Sequence, residues 1–139
     1  MARIALVDDD SDFTGLVSEL LRLQGWEVVV CNNEDDAVRC VLDERADLVI
    51  LDIRMSTRES GWHILEELQR HRDSASLPII VCSAAVDDIQ SRRPWLEERG
   101  IAVLTKPFDI DDLLRLVESM LPGDGAPKQI GTNGDTRSG

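Results

Sequence analysis

The amino-acid sequence predicts an α/β fold in which a central five-stranded parallel sheet carries helices on both faces. Five short runs rich in Val, Ile and Leu recur along the chain, and segments with helical spacing lie between them. Four of the five runs lack polar alternation, as expected when helices bury both faces of a parallel sheet. Right-handed connections between such units give a doubly wound (βα)5 sandwich.

The five predicted strands are short and rich in branched apolar residues, a composition that suits a buried sheet. They cover residues 4–7, 26–30, 48–51, 79–82 and 101–104.

Helices are predicted after the strands because apolar residues there recur at spacings of three and four. For the first helix, Ser11 or Asp12 can cap the start and Gly25 can end it. The apolar stripes, in chain order, are Phe13, Leu16, Val17, Leu20, Leu21 and Leu23; Ala37, Val38, Val41 and Leu42; Trp62, Leu65 and Leu68; and Ile110, Leu113, Leu114, Val117 and Leu121. The least regular helix is expected over residues 87–99, where Pro94 must end, begin or kink it.

Composition excludes several classes of function. The 15 basic and 27 acidic residues give a net charge of −12, which disfavours binding to nucleic acid or anionic lipid because both are polyanions. No apolar run approaches the ~20 residues that span a bilayer, and Arg3 lies in a short strand-like segment that does not have the pattern of a signal peptide. We expect a cytoplasmic protein with no direct contact to nucleic acid or membrane.

The chain is expected to form one domain over residues 1–121. Residues 122–139 are rich in Gly, Pro and polar residues, so they cannot bury enough surface to order themselves and are predicted to be a flexible tail. Cys31, Cys40 and Cys82 are odd in number and have no C-x-x-C spacing, which predicts reduced core thiols.

Acidic residues follow two of the predicted strands. Asp8, Asp9 and Asp10 come after the first strand and Asp52 after the third. In an open α/β sheet the ligand site lies at the carboxyl ends of the strands. If these two strands are neighbours, their carboxylates converge, repel one another and raise at least one pKa unless a cation compensates. Hard oxygen donors in a small cluster suit Mg²⁺.

The alternative for any single one of these aspartates is a loop or helix cap, and for Asp10 we prefer the cap. Two further strands add complementary groups, however. Ser83 follows the fourth strand, and Lys106 follows the fifth. A hydroxyl and an ammonium at the same edge can bind the oxygens of a phosphoryl group.

With these motifs in this order, residues 3–121 resemble the receiver domains of two-component response regulators, of the stand-alone type. The resemblance rests on the acidic pair Asp8-Asp9, on residues 47–52 ending in Asp52, on Ser83-Ala84, and on residues 106–108. It implies a flavodoxin-like fold and a Mg²⁺ cofactor. It also implies that Asp52 is the phosphoacceptor, that Ser83 hydrogen-bonds one phosphoryl oxygen, and that Lys106 pairs with another.

The resemblance further implies how the metal is held. Asp9 and Asp52 would bind Mg²⁺ directly, Asp8 would act mainly through metal-bound water, and the backbone carbonyl of Arg54 would complete the protein ligands. The Lys106-Pro107 bond is expected to be cis. Three features depart from the family pattern. The loop at residues 55–61 has one extra residue and Ser56 for proline, Val103 replaces the usual aromatic residue, and the approach to the fifth strand at residues 100–102 is one residue shorter than usual.

We therefore predict a phosphoacceptor switch that takes its phosphoryl group from a sensor histidine kinase or a histidine phosphotransfer protein. It would signal through an unidentified downstream protein, as a monomer or weak homodimer, and would not be an enzyme in the usual sense. One alternative is an interaction module that no longer needs phosphate. The other is an aspartyl-phosphate phosphatase, which the sequence Asp52-Ile53-Arg54 disfavours because such enzymes carry a second Asp two residues on.

Overall fold

Five parallel strands form the central sheet of the structure, a computed structural model that describes residues 2–55 and 60–121. They are β1 (Arg3–Val7), β2 (Glu27–Cys31), β3 (Leu48–Leu51), β4 (Ile79–Ser83) and β5 (Ala102–Thr105), in the order β2-β1-β3-β4-β5. The predicted strand boundaries differ from these by at most one residue at either end. The order reverses its direction of winding between β1 and β3, and the predicted fold class is confirmed.

Helices cover both faces of this sheet. Those in the described part of the chain are α1 (Ser11–Leu23), α2 (Ala37–Asp43), α3 (Ser60–Arg70), α4 (Val86–Ser91), α5 (Arg93–Glu98) and α6 (Ile110–Met120). The single irregular helix expected over residues 87–99 is thus two short helices. Pro94 lies in the first turn of α5, where its missing N–H costs no hydrogen bond.

Alternate residues of the strands enter two separate hydrophobic clusters. Along β3, Leu48 and Ile50 pack with α1 and α6, while Val49 and Leu51 pack with α2 to α5. Both faces of the strand are therefore apolar, which explains the absence of polar alternation in the sequence. Val103 is partly buried against the cluster that contains Val49 and Leu51. The resemblance leads us to expect an aromatic residue at this position.

The start and the apolar stripe of α1 differ from the prediction. Asp10 is the N-cap, because its carboxylate accepts hydrogen bonds from the backbone N–H groups of Asp12 at 3.1 Å and Phe13 at 3.2 Å. The cap at Ser11 or Asp12 was wrong, and the cap role preferred for Asp10 is confirmed. Leu16 and Leu23 are 61% and 75% exposed, so α1 buries a narrower stripe than its leucines suggest.

Two of the three cysteines are cross-linked. Cys31 ends β2 and Cys40 lies on α2, and a disulfide joins them with their Cα atoms 6.1 Å apart, within the range that a disulfide requires. The prediction of reduced thiols was therefore wrong for this pair, because nothing in the spacing reveals that the chain turns back over the end of β2. Cys82 is free and buried, as expected.

None of the helices within residues 2–55 and 60–121 has the length and apolar character needed to cross a membrane. The predicted tail at residues 122–139 and positions 56–59 of the loop with the extra residue lie outside the described residues.

Candidate functional site

Asp8 and Asp52 meet at one edge of the sheet. Val7 pairs with Leu51 in the register of β1 and β3, so the residue after each strand emerges at the same level. The backbone N–H of Asp52 donates to the carbonyl of Val7 at 2.9 Å, which ties the two strand ends together. Both carboxyl groups are buried. The predicted convergence of these two aspartates is confirmed.

The ammonium of Lys106 bridges the two carboxylates. Its Nζ lies 3.0 Å from Oδ2 of Asp8 and 3.3 Å from Oδ2 of Asp52. The backbone N–H of Lys106 donates to the carbonyl of Ser83 at 3.0 Å, so β4 positions the lysine. The Lys106-Pro107 peptide bond is cis, as predicted. The arrangement places one fixed positive charge against two buried negative charges.

Burial dominates the electrostatics of Asp8. Desolvation raises the pKa of its carboxyl group, although hydrogen bonds from the Asp10 N–H and from Lys106 oppose the shift, and the charge of Asp52 adds only a smaller increase. The pKa is thus raised as predicted, but the main cause is burial and not repulsion between carboxylates. For Lys106, burial lowers the pKa, and the hydrogen bond to Asp8 with the charge of Asp52 outweighs it, so the net shift is upward.

Ser83 is fully buried at the carboxyl end of β4, directly beside β3 in the sheet. Its Oγ accepts a hydrogen bond from the backbone N–H of Ala85 at 3.2 Å. The hydroxyl hydrogen can still be donated, because an accepting lone pair leaves the O–H free to rotate. Ser83 is thus a potential donor at the same edge of the sheet.

The remaining predicted site residues lie around the pair. The backbone N–H of Arg54 donates to Oδ1 of Asp52 at 3.1 Å, while Asp9 is exposed directly after Asp8. Asp10 caps α1 and its side chain is directed to that helix. Across the described ranges, no three His, Cys, Asp or Glu side chains form a ready-made metal cluster. The predicted convergence of Asp8, Asp9 and Asp10 with Asp52 is therefore confirmed for Asp8 alone.

Two contacts and a groove near the site were missed from the sequence. The centroid of the Phe13 ring lies 3.9 Å from Nζ of Lys106. The same ring packs edge-on against the ring of Phe108, with 6.2 Å between the ring centroids. Beside these rings, α1 and the chain after β5 form an apolar groove of about 510 Å³, to which Leu16 and Ile110 contribute. The only sequence signal for it is the excess of apolar residues on α1.

Two contacts in the loop after β3 were also missed. The guanidinium of Arg54 pairs with Oδ2 of Asp88 on α4 at 3.6 Å. Gly61 donates its N–H to the carbonyl of Ile53 at 2.9 Å, and a Cβ on this glycine would overlap the Ile53 backbone. The chain directly after Asp52 is therefore held by one side-chain ion pair and one backbone hydrogen bond that composition does not reveal.

Comparisons with known proteins agree with this geometry. Residues 4–118 match the family model described as response regulator receiver domain. Transcriptional regulatory protein CpxR of Klebsiella pneumoniae is 33% identical over 121 residues, which are 87% of this chain and 50% of that protein. Protein PilH of Pseudomonas aeruginosa is 28% identical over 124 residues, which are 88% of this chain and all of that protein.

Among solved structures, response regulator TrrA of Thermotoga maritima, in complex with Mg²⁺ and beryllofluoride, is 28% identical with a TM-score of 0.75, covering 87% of this chain and all of that one. The chain spans about half the length of the first CpxR relatives that it matches. A family model covering most of the chain establishes its family. The chain belongs to the response regulator receiver domain family, a family of signalling switches.

Proposed function

We propose that this receiver domain accepts a phosphoryl group on Asp52, with Mg²⁺ as cofactor, and thereby switches the binding of a partner protein or relays the phosphoryl group. The observation that carries the proposal is the position of Lys106 between Asp8 and Asp52 at the carboxyl ends of neighbouring strands. A half-buried ammonium held against the nucleophile compensates the charge that collects on a transferred phosphoryl group.

In the proposed reaction, a carboxylate oxygen of Asp52 forms a bond to phosphorus while the bond from phosphorus to the donor breaks. The donor is a phosphohistidine or a small acyl phosphate, and the imidazole or carboxylate leaves with the bonding electrons. The N–H of Arg54 and the ammonium of Lys106 already orient the two oxygens of Asp52. Ser83 would donate its hydroxyl to one phosphoryl oxygen, and Lys106 would pair with another.

The oxygen donors at this edge fit Mg²⁺, which is bound through a few carboxylates or carbonyls and keeps several waters. Asp9, Asp52 and the backbone carbonyl of Arg54 would hold the ion, with Asp8 acting through bound water. Few protein ligands are required, so the lack of a three-carboxylate cluster in the described residues is compatible with this metal. When bound, Mg²⁺ supplies charge compensation for the phosphoryl oxygens.

The proposed phosphodonor protein is a sensor histidine kinase or a histidine phosphotransfer protein. Because phosphoryl transfer requires the two proteins to bind each other, we propose that this chain acts in the cytoplasm. A donor delivering phosphohistidine to Asp52 must cover the adjacent apolar groove, which shares Lys106 with the site. Leu16 lines this groove and is 61% exposed. We propose that an apolar helix face of the donor covers it.

Phosphorylation by acetyl phosphate, followed by intact-mass measurement, tests the proposed chemistry. The wild type should gain one phosphoryl group in the presence of Mg²⁺ and none when EDTA removes the metal. Asp52→Asn should gain none, whereas Asp43→Asn, which changes an exposed aspartate at the end of α2, should behave like the wild type. Phosphoryl addition to the Asp52→Asn variant would overturn the assignment.

A charge introduced in the groove separates donor docking from chemistry. Leu16→Glu should slow phosphorylation by a phosphorylated kinase and leave phosphorylation by acetyl phosphate unchanged. Leu23→Glu is the matched control, because Leu23 is also exposed on α1, at 75% against 61% for Leu16, but does not line the groove. Equal slowing by both substitutions would contradict docking at the groove.

A further inference from the structure

The proposed phosphoryl chemistry makes no use of the Cys31–Cys40 disulfide. Cys31 ends β2, the strand at one edge of the sheet, and Cys40 lies on α2. In the cytoplasm proposed above, reductants keep most thiols reduced, and the disulfides that form there are usually transient and redox-active. A disulfide in that compartment points to a site that is oxidised and reduced in turn, and not to a permanent cross-link.

The two cysteines differ in their exposure to solvent. Cys31 is 3% exposed and packs in the core cluster that contains Val7 and Ala37. Cys40 is only partly buried against the same cluster. Because thiol–disulfide exchange requires access to the sulfur that is attacked, an incoming thiolate reaches Cys40 more readily than Cys31. The structure therefore gives the exchange a direction.

The packing of α2 lets the disulfide open without unfolding the protein. The two cysteines are 9 residues apart, so the cross-link closes a short loop and contributes only part of the stability of a typical domain. Ala37 and Val41 of α2 are fully buried in the same core cluster. They hold the helix against the sheet when the S–S bond is broken, so the two thiols stay close enough to be oxidised again.

We propose that Cys31 and Cys40 form a reversible redox site whose reductant is a protein dithiol of the C-x-x-C type and whose oxidant is a peroxide. In reduction, a thiolate of the dithiol attacks Sγ of Cys40, the S–S bond breaks, and Cys31 leaves as a thiolate. The second thiol of the reductant then attacks the mixed disulfide. Two electrons have passed to the pair, which ends as two thiols, and the reductant ends as a disulfide.

Oxidation runs through the same exposed cysteine. The thiolate of Cys40 attacks one oxygen of hydrogen peroxide, the O–O bond breaks, and a sulfenic acid forms as hydroxide leaves. The thiolate of Cys31 then attacks Sγ of Cys40 and displaces a second hydroxide, and the two thiol protons convert both hydroxides to water. Cys82 cannot replace Cys31 in this step, because it belongs to the cluster on the opposite face of the sheet.

Reduction of the native full chain tests the site. The chain is incubated with reduced thioredoxin at about pH 7, quenched with acid, and labelled with N-ethylmaleimide in urea. Intact mass should show one label before reduction, on Cys82, and three after it, since the chain has three cysteines. Hydrogen peroxide should then restore the state with one label. The Cys82→Ser variant is the matched control and should show none, two and none.

The direction of attack has its own measurements. A thioredoxin whose second thiol is replaced by serine should trap a mixed disulfide on Cys40. After peroxide, dimedone should label Cys40 in Cys31→Ser at least about tenfold faster than Cys31 in Cys40→Ser, because a buried thiol reacts only when the fold opens locally.

Reduction that occurs only when urea is present during the incubation with thioredoxin would overturn the redox site, and so would a failure of peroxide to restore the disulfide. A mixed disulfide on Cys31, or equal dimedone labelling of the two single variants, would overturn the assigned direction. These measurements do not involve Asp52, so their failure leaves the proposed phosphorylation standing, and failure of the acetyl phosphate assay leaves the redox site standing.

Discussion

Replacing Lys106 by methionine should destabilise the protein, because it keeps most of the side-chain volume and removes the positive charge between two carboxylates. Asp8 is buried with only 1% of its surface exposed, so it cannot recover its hydration when the ammonium is lost. The raised pKa of Asp8 reflects the same burial. At pH 7 the variant must either keep a buried charge without its partner or protonate it.

The distances set the size of the effect. At 3.0 and 3.3 Å, each carboxylate attracts the ammonium by about 5 kcal/mol at an effective dielectric constant of about 20. The cost of desolvating the lysine, whose side chain is 21% exposed, offsets part of this attraction. Removing one partner of a buried pair typically costs about 3–5 kcal/mol. We expect a loss of about 3 kcal/mol.

Urea unfolding at pH 7 without Mg²⁺ measures this loss. Glu27→Gln is the control, since it breaks the Arg3–Glu27 pair, which has a similar N–O distance of 2.8 Å but lies at the surface; it should change the free energy of unfolding far less. Asp8→Asn combined with Lys106→Met should be more stable than Lys106→Met alone, because the uncompensated charge is gone. Equal losses for Lys106→Met and Glu27→Gln, or no recovery in the double variant, would refute this reasoning.

Three further predictions concern the cysteines and the phosphoacceptor loop. Reduction of the Cys31–Cys40 disulfide should lower the free energy of unfolding by about 2–3 kcal/mol, because it frees a loop of about ten residues in the unfolded chain. In urea unfolding, dithiothreitol should destabilise the wild type and leave the Cys31→Ser/Cys40→Ser variant unchanged. Gly61→Ala should cost about 1–3 kcal/mol in urea unfolding, since its Cβ would overlap the Ile53 backbone beside Asp52; a neutral result would contradict the packing described. Burial raises the pKa of Cys82 from 9.0 to about 12. The thiol therefore loses its proton at lower pH in the unfolded chain, and the free energy of unfolding should fall as the pH rises between these values. Cys82 should also resist iodoacetamide at pH 8 in the native protein, and rapid labelling would contradict its burial.

The strands were predictable because a parallel sheet covered on both faces has a simple signature. The uninterrupted runs around Ile50 and Ile80 have to be buried on both sides, whichever helices cover them. The break between α4 and α5 could be predicted only in part. Pro94 disfavours one continuous helix, but it can end, begin or kink a helix, so the sequence did not predict that a new helix starts there. Exposure of Leu16 was not visible either, since a leucine has the same helical spacing whether it packs inward or lines a groove.

Much of the candidate site followed from one rule, that ligand groups gather at the carboxyl ends of parallel strands. The rule located Asp8, Asp52 and Lys106, and the structure brings these three side chains into contact. It also suggested that Asp10 would be near them, and the preference for a helix cap resolved that position correctly. The cause of the Asp8 pKa shift was not predictable, because burial depends on the neighbours of a side chain in space.

The sequence by itself determined the fold class, the positions of the strands and the side chains of the proposed phosphoryl site, because these depend on local spacing and on where each residue follows its strand. Only the tertiary structure decided which groups pair across the molecule. The Cys31–Cys40 disulfide and the Arg54–Asp88 ion pair each join separate elements of the fold. Such pairs depend on the angle at which a helix packs and on the distance between two side chains, and neither quantity is written in the spacing of residues along the chain.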